Sequence, residues 1–185
     1  MIAATRVFQS DSRSEDPSRP VTAEQEGLFA AFPLTRLRPE QVAGAILQSA
    51  NLRTLDADSP AVVRVIRFFQ QNDFVKRFGD IGEDEFGGFA GTIPQRLVMM
   101  NGELVRERTK EDLLMNSATR IGAVAPDDDV AVETAYLAVL SRRPTPKEQS
   151  HFVDRLRAGS DVKRSVRMGD LFWTLMNSTE FSWNH

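Results

Sequence analysis

The segment PDDDVAVETAYLAVLSRRPTPKE, residues 126–148, decides the fold class. Pro126 and the run Asp127, Asp128, Asp129 stand ahead of Val130, Ala131, Thr134, Ala135, Leu137, Ala138 and Leu140, which recur at helical spacing. Negative charge therefore falls where the N-terminus of a helix favours it, and the aspartates read as caps. Thr145-Pro146-Lys147-Glu148 joins a capping box to a proline at the first helical position, the strongest local start signal in the chain. Phe152, Val153 and Leu156 follow in phase until Gly159. With only Arg142-Arg143-Pro144 between them, these two helices form a hairpin.

Working outward, the same grammar of caps and breakers recurs. Toward the C-terminus a helix carries Leu171, Phe172, Leu175 and Met176, and Ser178 caps a final turn with Phe181 and Trp183. Upstream, Thr109 opens a short helix over Leu113, Leu114 and Met115. Thr92 caps another, with Pro94 near its start and Leu97, Val98, Met100, Leu104 and Val105 on its apolar face, bent at Asn101-Gly102. Residues 79–91 hold five of the eleven glycines and read as a loop. Ser59-Pro60 starts a long core helix that runs through Val62, Val63, Ile66, Phe69 and Phe74 to Phe78, with Gly79 as its stop. Pro39 starts a helix with Val42, Ile46, Leu47 and Ala50 on one face, ending near Asn51, and Thr22 with Gln25 boxes a short helix over about 23–31 before Pro33. Residues 10–21 are polar, contain two prolines and have little to bury. The expectation is an all-α, single compact domain of six to eight helices over 22–185, without strands, behind a disordered N-terminal arm over 1–21.

Composition narrows the chemistry. A chain of 185 residues buries a core of normal size without staples. The absence of cysteine excludes disulfides, thiolate zinc sites, thiol nucleophiles and CxxCH haem attachment. With 23 Lys+Arg against 26 Asp+Glu, the net charge of -3 gives no global pull toward nucleic acid or anionic membrane. The first residues lack an apolar stretch long enough for a signal-peptide core, and no later run approaches the ~20 apolar residues of a membrane span. The chain as written is expected to be soluble and unexported.

Three segments carry a family resemblance: LTRLRPEQV at 34–42, GTIPQRLVMMNGELV at 91–105 and DLFWTLMNSTEFSWNH at 170–185. Together with AYLAVLSRRPTPKE at 135–148, their order and spacing resemble the C-terminal domain of unknown function found in large planctomycete cytochrome-associated proteins. The resemblance covers roughly 34–185. It implies an envelope-associated parent in which a signal peptide, often a cytochrome c-like haem domain, and another domain come first. The sequence as written carries none of these, so the resemblance implies a detached C-terminal portion or a shortened product. Haem then belongs to a separate domain, and this chain needs no cofactor of its own. The family offers no established catalytic residues to carry over.

Phe172, Trp173, Phe181 and Trp183 form the richest aromatic stripe, whose helical spacing suits core packing. Trp173 cannot share the orientation of its neighbour Phe172, and Trp183 stands near the terminus, so at least one tryptophan is expected to face a neighbouring domain. Gln95, Arg96, Asn101 and Glu103 flank the expected bend and could line a groove, where the plainer reading is a helix joint. Asp80, Glu83, Asp84 and Glu85 offer hard oxygen ligands in the glycine-rich loop but lack EF-hand spacing, and a solvated loop is the plainer reading. The same loop, at 87–92, could present backbone N–H groups to an anion but lacks the flanking strand and lysine of a phosphate loop. His151 and His185 are the only imidazoles, too few for a multi-histidine metal site. No Gly-x-Ser-x-Gly elbow is present. Arg64, Arg67, Arg142, Arg143, Lys163, Arg164 and Arg167 are interleaved with acids rather than gathered into a nucleic-acid patch. The reading is a non-catalytic interaction or structural module whose partners are other domains of a larger parent protein. The alternatives are that carboxylates such as Glu103 or Glu180 complete an active site shared with a preceding domain, or that the 79–92 loop binds a small ligand or ion.

Overall fold

Capping chemistry sets where the helices begin, as the sequence suggests. Thr145 Oγ1 accepts from the backbone N–H of Glu148 at 3.3 Å while the Glu148 carboxylate accepts from Thr145 N at 2.7 Å, and Pro146 occupies the first helical position. Asp127 alone of the three aspartates is the cap, accepting from Val130 N at 2.8 Å. A computed structural model of the chain describes residues 21–28, 30–31, 35–51, 61–78, 93–158 and 162–184. All but Val21 of the expected arm over 1–21, the Ser59-Pro60 start and the 79–92 loop with Asp80, Glu83, Asp84 and Glu85 lie outside the described residues.

The described residues are overwhelmingly helical, so the all-α class holds. They fall into two units, one over Arg38–Ser182 and a smaller one formed by the chain up to Leu37 together with Trp183–His185. In the smaller unit, α1 (Ala23–Gly27) starts at the Thr22–Gln25 capping box, and β1 (Thr35–Arg36) pairs antiparallel with β2 (Trp183–Asn184). The sequence reading contains no strands. Two residues on each side are too few to leave a period-two pattern, and their partners lie far apart along the chain.

The larger unit contains α2 (Pro39–Ala50), α3 (Ala61–Phe78), α4 (Ile93–Asn101), α5 (Glu103–Thr109), α6 (Ser117–Val124), α7 (Asp128–Leu140), α8 (Pro146–Arg157) and α9 (Arg164–Met176), followed by a single 3-10 turn at Glu180–Ser182. Its core is built on α9, which packs against α5, α6, α7 and α8. Met168, Phe172 and Met176 of α9 are fully buried with Ile46 and Leu47 of α2, Val105 of α5, and Val132 and Tyr136 of α7. Each large apolar side chain withdrawn from water contributes about 1.5 to 3 kcal/mol. The bend expected at Asn101-Gly102 is the α4–α5 joint. Gly102 N closes α4 on Val98 O at 2.8 Å, and its extended backbone starts α5.

The segment 109–116 departs from the sequence reading. Thr109 ends α5 instead of opening a helix, and Leu113, Leu114 and Met115 form a turn. The Asp112 carboxylate accepts from the backbone N–H of both Leu114 and Met115, at 3.0 and 2.9 Å, a local bond that competes with helix. Asn116, 1% exposed, then donates from Nδ2 to Glu107 O at 2.9 Å and Lys110 O at 3.0 Å, satisfying carbonyls at the end of α5. Asn116→Ala is expected to lower stability by about 2 kcal/mol in urea unfolding of the whole chain, because Glu107 O loses this donor and Lys110 O is left with the long bond from Thr119 Oγ1 at 3.5 Å. An unchanged midpoint would mean that water caps α5 instead.

Candidate functional site

The tightest polar cluster sits where the α7–α8 hairpin meets the 3-10 turn. Ser141 takes a left-handed conformation at the end of α7 (φ 56°), which turns the chain so that Arg142 points back over the hairpin. Arg142 donates to both oxygens of Glu148, at 3.0 and 2.9 Å, and to both oxygens of Glu180, at 2.5 and 2.7 Å, while its guanidinium lies 5.2 Å from the Tyr136 ring centre. Hydrogen bonding to the two carboxylates raises Arg142 well above its ordinary value. The Arg142 hydrogen bonds hold Glu148 down at about 2, and burial pushes the Tyr136 hydroxyl up to about 12. Three groups locked in one charge state brace the fold. Glu180, a candidate catalytic carboxylate by sequence, belongs to this brace.

The candidate aromatic stripe divides. Phe172, on the apolar face of α9, is fully buried and Phe181, in the 3-10 turn, is 5% exposed, so both are corrected from interface candidates to core residues. Trp173 and Trp183 are half-buried. Trp173 Nε1 donates to Met100 O at 3.1 Å, which fixes the indole.

The candidate groove residues are not gathered into one lining. Gln95 is buried on the inner face of α4. Arg96 reaches the end of α9, donating to Asn177 O at 3.1 Å and Thr179 Oγ1 at 3.3 Å, where a cation suits the helix dipole. Asn101 and Glu103 are exposed on either side of Gly102. The outer face of α4 is instead apolar: Ile93, Leu97 and Met100, spaced i, i+4, i+7, are 77%, 53% and 45% exposed.

Most of the scattered cations have acidic partners. Arg164 pairs with Asp128 at 2.8 Å, Arg143 with Glu133 at 3.0 Å and Lys163 with Glu111 at 3.4 Å. Arg167 differs. It lines a cavity of about 400 Å³ between α8 and α9, together with Arg155 and Asp170. Phe152, Leu156, Leu171 and Trp173 form the cavity's apolar walls. His151 is exposed with its ring 5.0 Å from Phe152, and no group of three or more His, Asp or Glu among the described residues could hold a metal. No described helix is long and apolar enough to cross a membrane.

Sequence reasoning did not find the cavity, since it weighed Arg167 only as one of several dispersed cations. The available signal was spacing: Phe152, Arg155 and Leu156 share one face of α8, and Arg167, Asp170, Leu171 and Thr174 share one face of α9. No protein-family model matches the chain, and no curated protein or solved structure matches it either.

Proposed function

We propose that this chain is a non-catalytic interaction module, the C-terminal helical part of a larger envelope-associated protein of the kind its sequence resembles. The observation that carries this reading is the outer face of α4. Ile93, Leu97 and Met100 form an apolar line in water on a helix whose other side is anchored through Gln95, Met99 and the Arg96 bonds to the end of α9. A contiguous apolar surface on an anchored helix favours a covering partner. The occupant proposed is a preceding domain of the same parent polypeptide, with any haem held there and not in this module.

An immunoblot of source cells with an antibody against residues 164–182 is expected to show a band several times heavier than 20.7 kDa. With the rest of that parent supplied as a separate piece, Leu97→Glu is expected to weaken association at least 10-fold while moving the melt of this chain by less than about 0.5 kcal/mol. A band at 20.7 kDa, or association indifferent to the substitution, would sink the reading.

A further inference from the structure

The cavity between α8 and α9 combines features that the interaction reading does not use. Two walls are aromatic and fixed. Trp173 is tied through Nε1 to Met100 O at 3.1 Å, and Phe152 meets the buried Tyr136 ring edge-on at 5.9 Å. Leu156 and Leu171, 3% and 4% exposed, continue the apolar lining. The polar part is cationic. Arg167 Nε and Nη1 are shielded from water and have no hydrogen-bond partner, and Arg155 reaches the same cavity from α8. Arg167 is half-buried, and with two of its three nitrogens shielded and unpartnered part of its charge is desolvated beside the cavity, a cost that an anion in the cavity lowers through its charge.

The geometry points to a binding site for a small aromatic carboxylate, a reading independent of the α4 surface. The volume of about 400 Å³ suits a molecule of one or two rings. The planar N–H fork of arginine matches a carboxylate, and aromatic walls on two helices match a flat body. Asp170 sets the charge of the ligand. Two guanidinium groups against one carboxylate leave the lining with one net positive charge, which a monoanion neutralises and a phosphate dianion overshoots.

The test follows the indole N–H resonance of Trp173 in the whole chain during titration with sodium benzoate, phenyl phosphate and benzyl alcohol, with Trp173→Phe used to assign the signal. Benzoate is expected to shift it saturably with a millimolar Kd, at least 10-fold tighter than benzyl alcohol and tighter than phenyl phosphate. Arg167→Met is expected to weaken benzoate at least 10-fold and Arg155→Met to weaken it less. Absence of a saturable shift, equal binding of benzyl alcohol, or preference for phenyl phosphate would each overturn the assignment. The comparison among the three probes is made on the unsubstituted chain, so it decides the matter even if Arg167→Met does not fold.

Discussion

Arg142→Met is expected to destabilise the Arg38–Ser182 unit by about 2 to 3 kcal/mol, among the largest effects of any single surface-accessible change. Arg142 bridges Glu148 and Glu180, binding both oxygens of each. Removing it takes a two-point partner from both carboxylates beside a buried tyrosine ring, and breaking such a pair costs more than the pair itself contributes. The three side chains are 26% to 32% exposed, and water screens part of the loss, which keeps the figure below that of a fully buried triad.

The brace also writes itself into the pH dependence. Glu148 is held at about 2, below its unfolded value, so its stabilisation is present above the ordinary carboxylate range and is lost as pH falls from about 4.5 toward 2. The full depression would amount to roughly 3 kcal/mol, and with a third of the side chain in water roughly half of that is expected. Tyr136 behaves in the opposite sense. Its hydroxyl is raised to about 12, so the stability it contributes is complete below pH 10 and is lost as pH rises toward 12. Urea midpoints measured across pH 2–6 should flatten in Glu148→Gln, which keeps the capping box because glutamine also serves at that position. An acid limb identical to that of the unsubstituted chain would show that Glu148 is not held by Arg142.

The second large effect is expected at Gly169, where the usual rule for helices reverses. Replacing a glycine inside a helix with alanine ordinarily stabilises by about 1 kcal/mol. A Cβ at Gly169 of α9 would stand 2.3 Å from the backbone oxygen of Thr109, and backbone cannot swing aside as a side chain does. Gly169→Ala is therefore expected to lose about 3 kcal/mol. Gly122→Ala is expected to lose less, because its Cβ would lie 2.8 Å from Ser165 Cα. Chemical denaturation of both variants checks the order. A stabilised Gly169→Ala would mean that α5 and α9 are not in this close register.

These glycines also explain which parts of the fold the sequence reveals. Helix starts at Thr22, Asp127 and Thr145 are legible because a cap is a contract among residues three apart, and the start at Pro39 because proline suits the first helical position. Helix α6 is not, because its buried face is Ser117, Ala118, Thr119 and Gly122. Small residues bring α6 close to α9 but leave no apolar stripe to read. The candidate sites follow the same division. Trp173 stands out by its clash of direction with Phe172, whereas the cavity needs Arg155 and Arg167 from two helices whose meeting is a tertiary fact. Gln95, Arg96, Asn101 and Glu103 are near one another in sequence, yet the break at Gly102 and the reach of Arg96 to α9 separate their roles.

Arg142 and Arg143 form a dibasic pair in the hairpin loop, the sort of peptide that trypsin-like enzymes cut. Such an enzyme must draw the guanidinium ahead of the scissile bond into its own acidic pocket. Arg142 is already seated between two carboxylates of its own chain, and the bond after Arg143 leads into Pro144, which these enzymes pass over. The folded hairpin thus hides the bond after Arg142 behind the contact that braces it, and nicking at that bond becomes a clock for how often the brace opens.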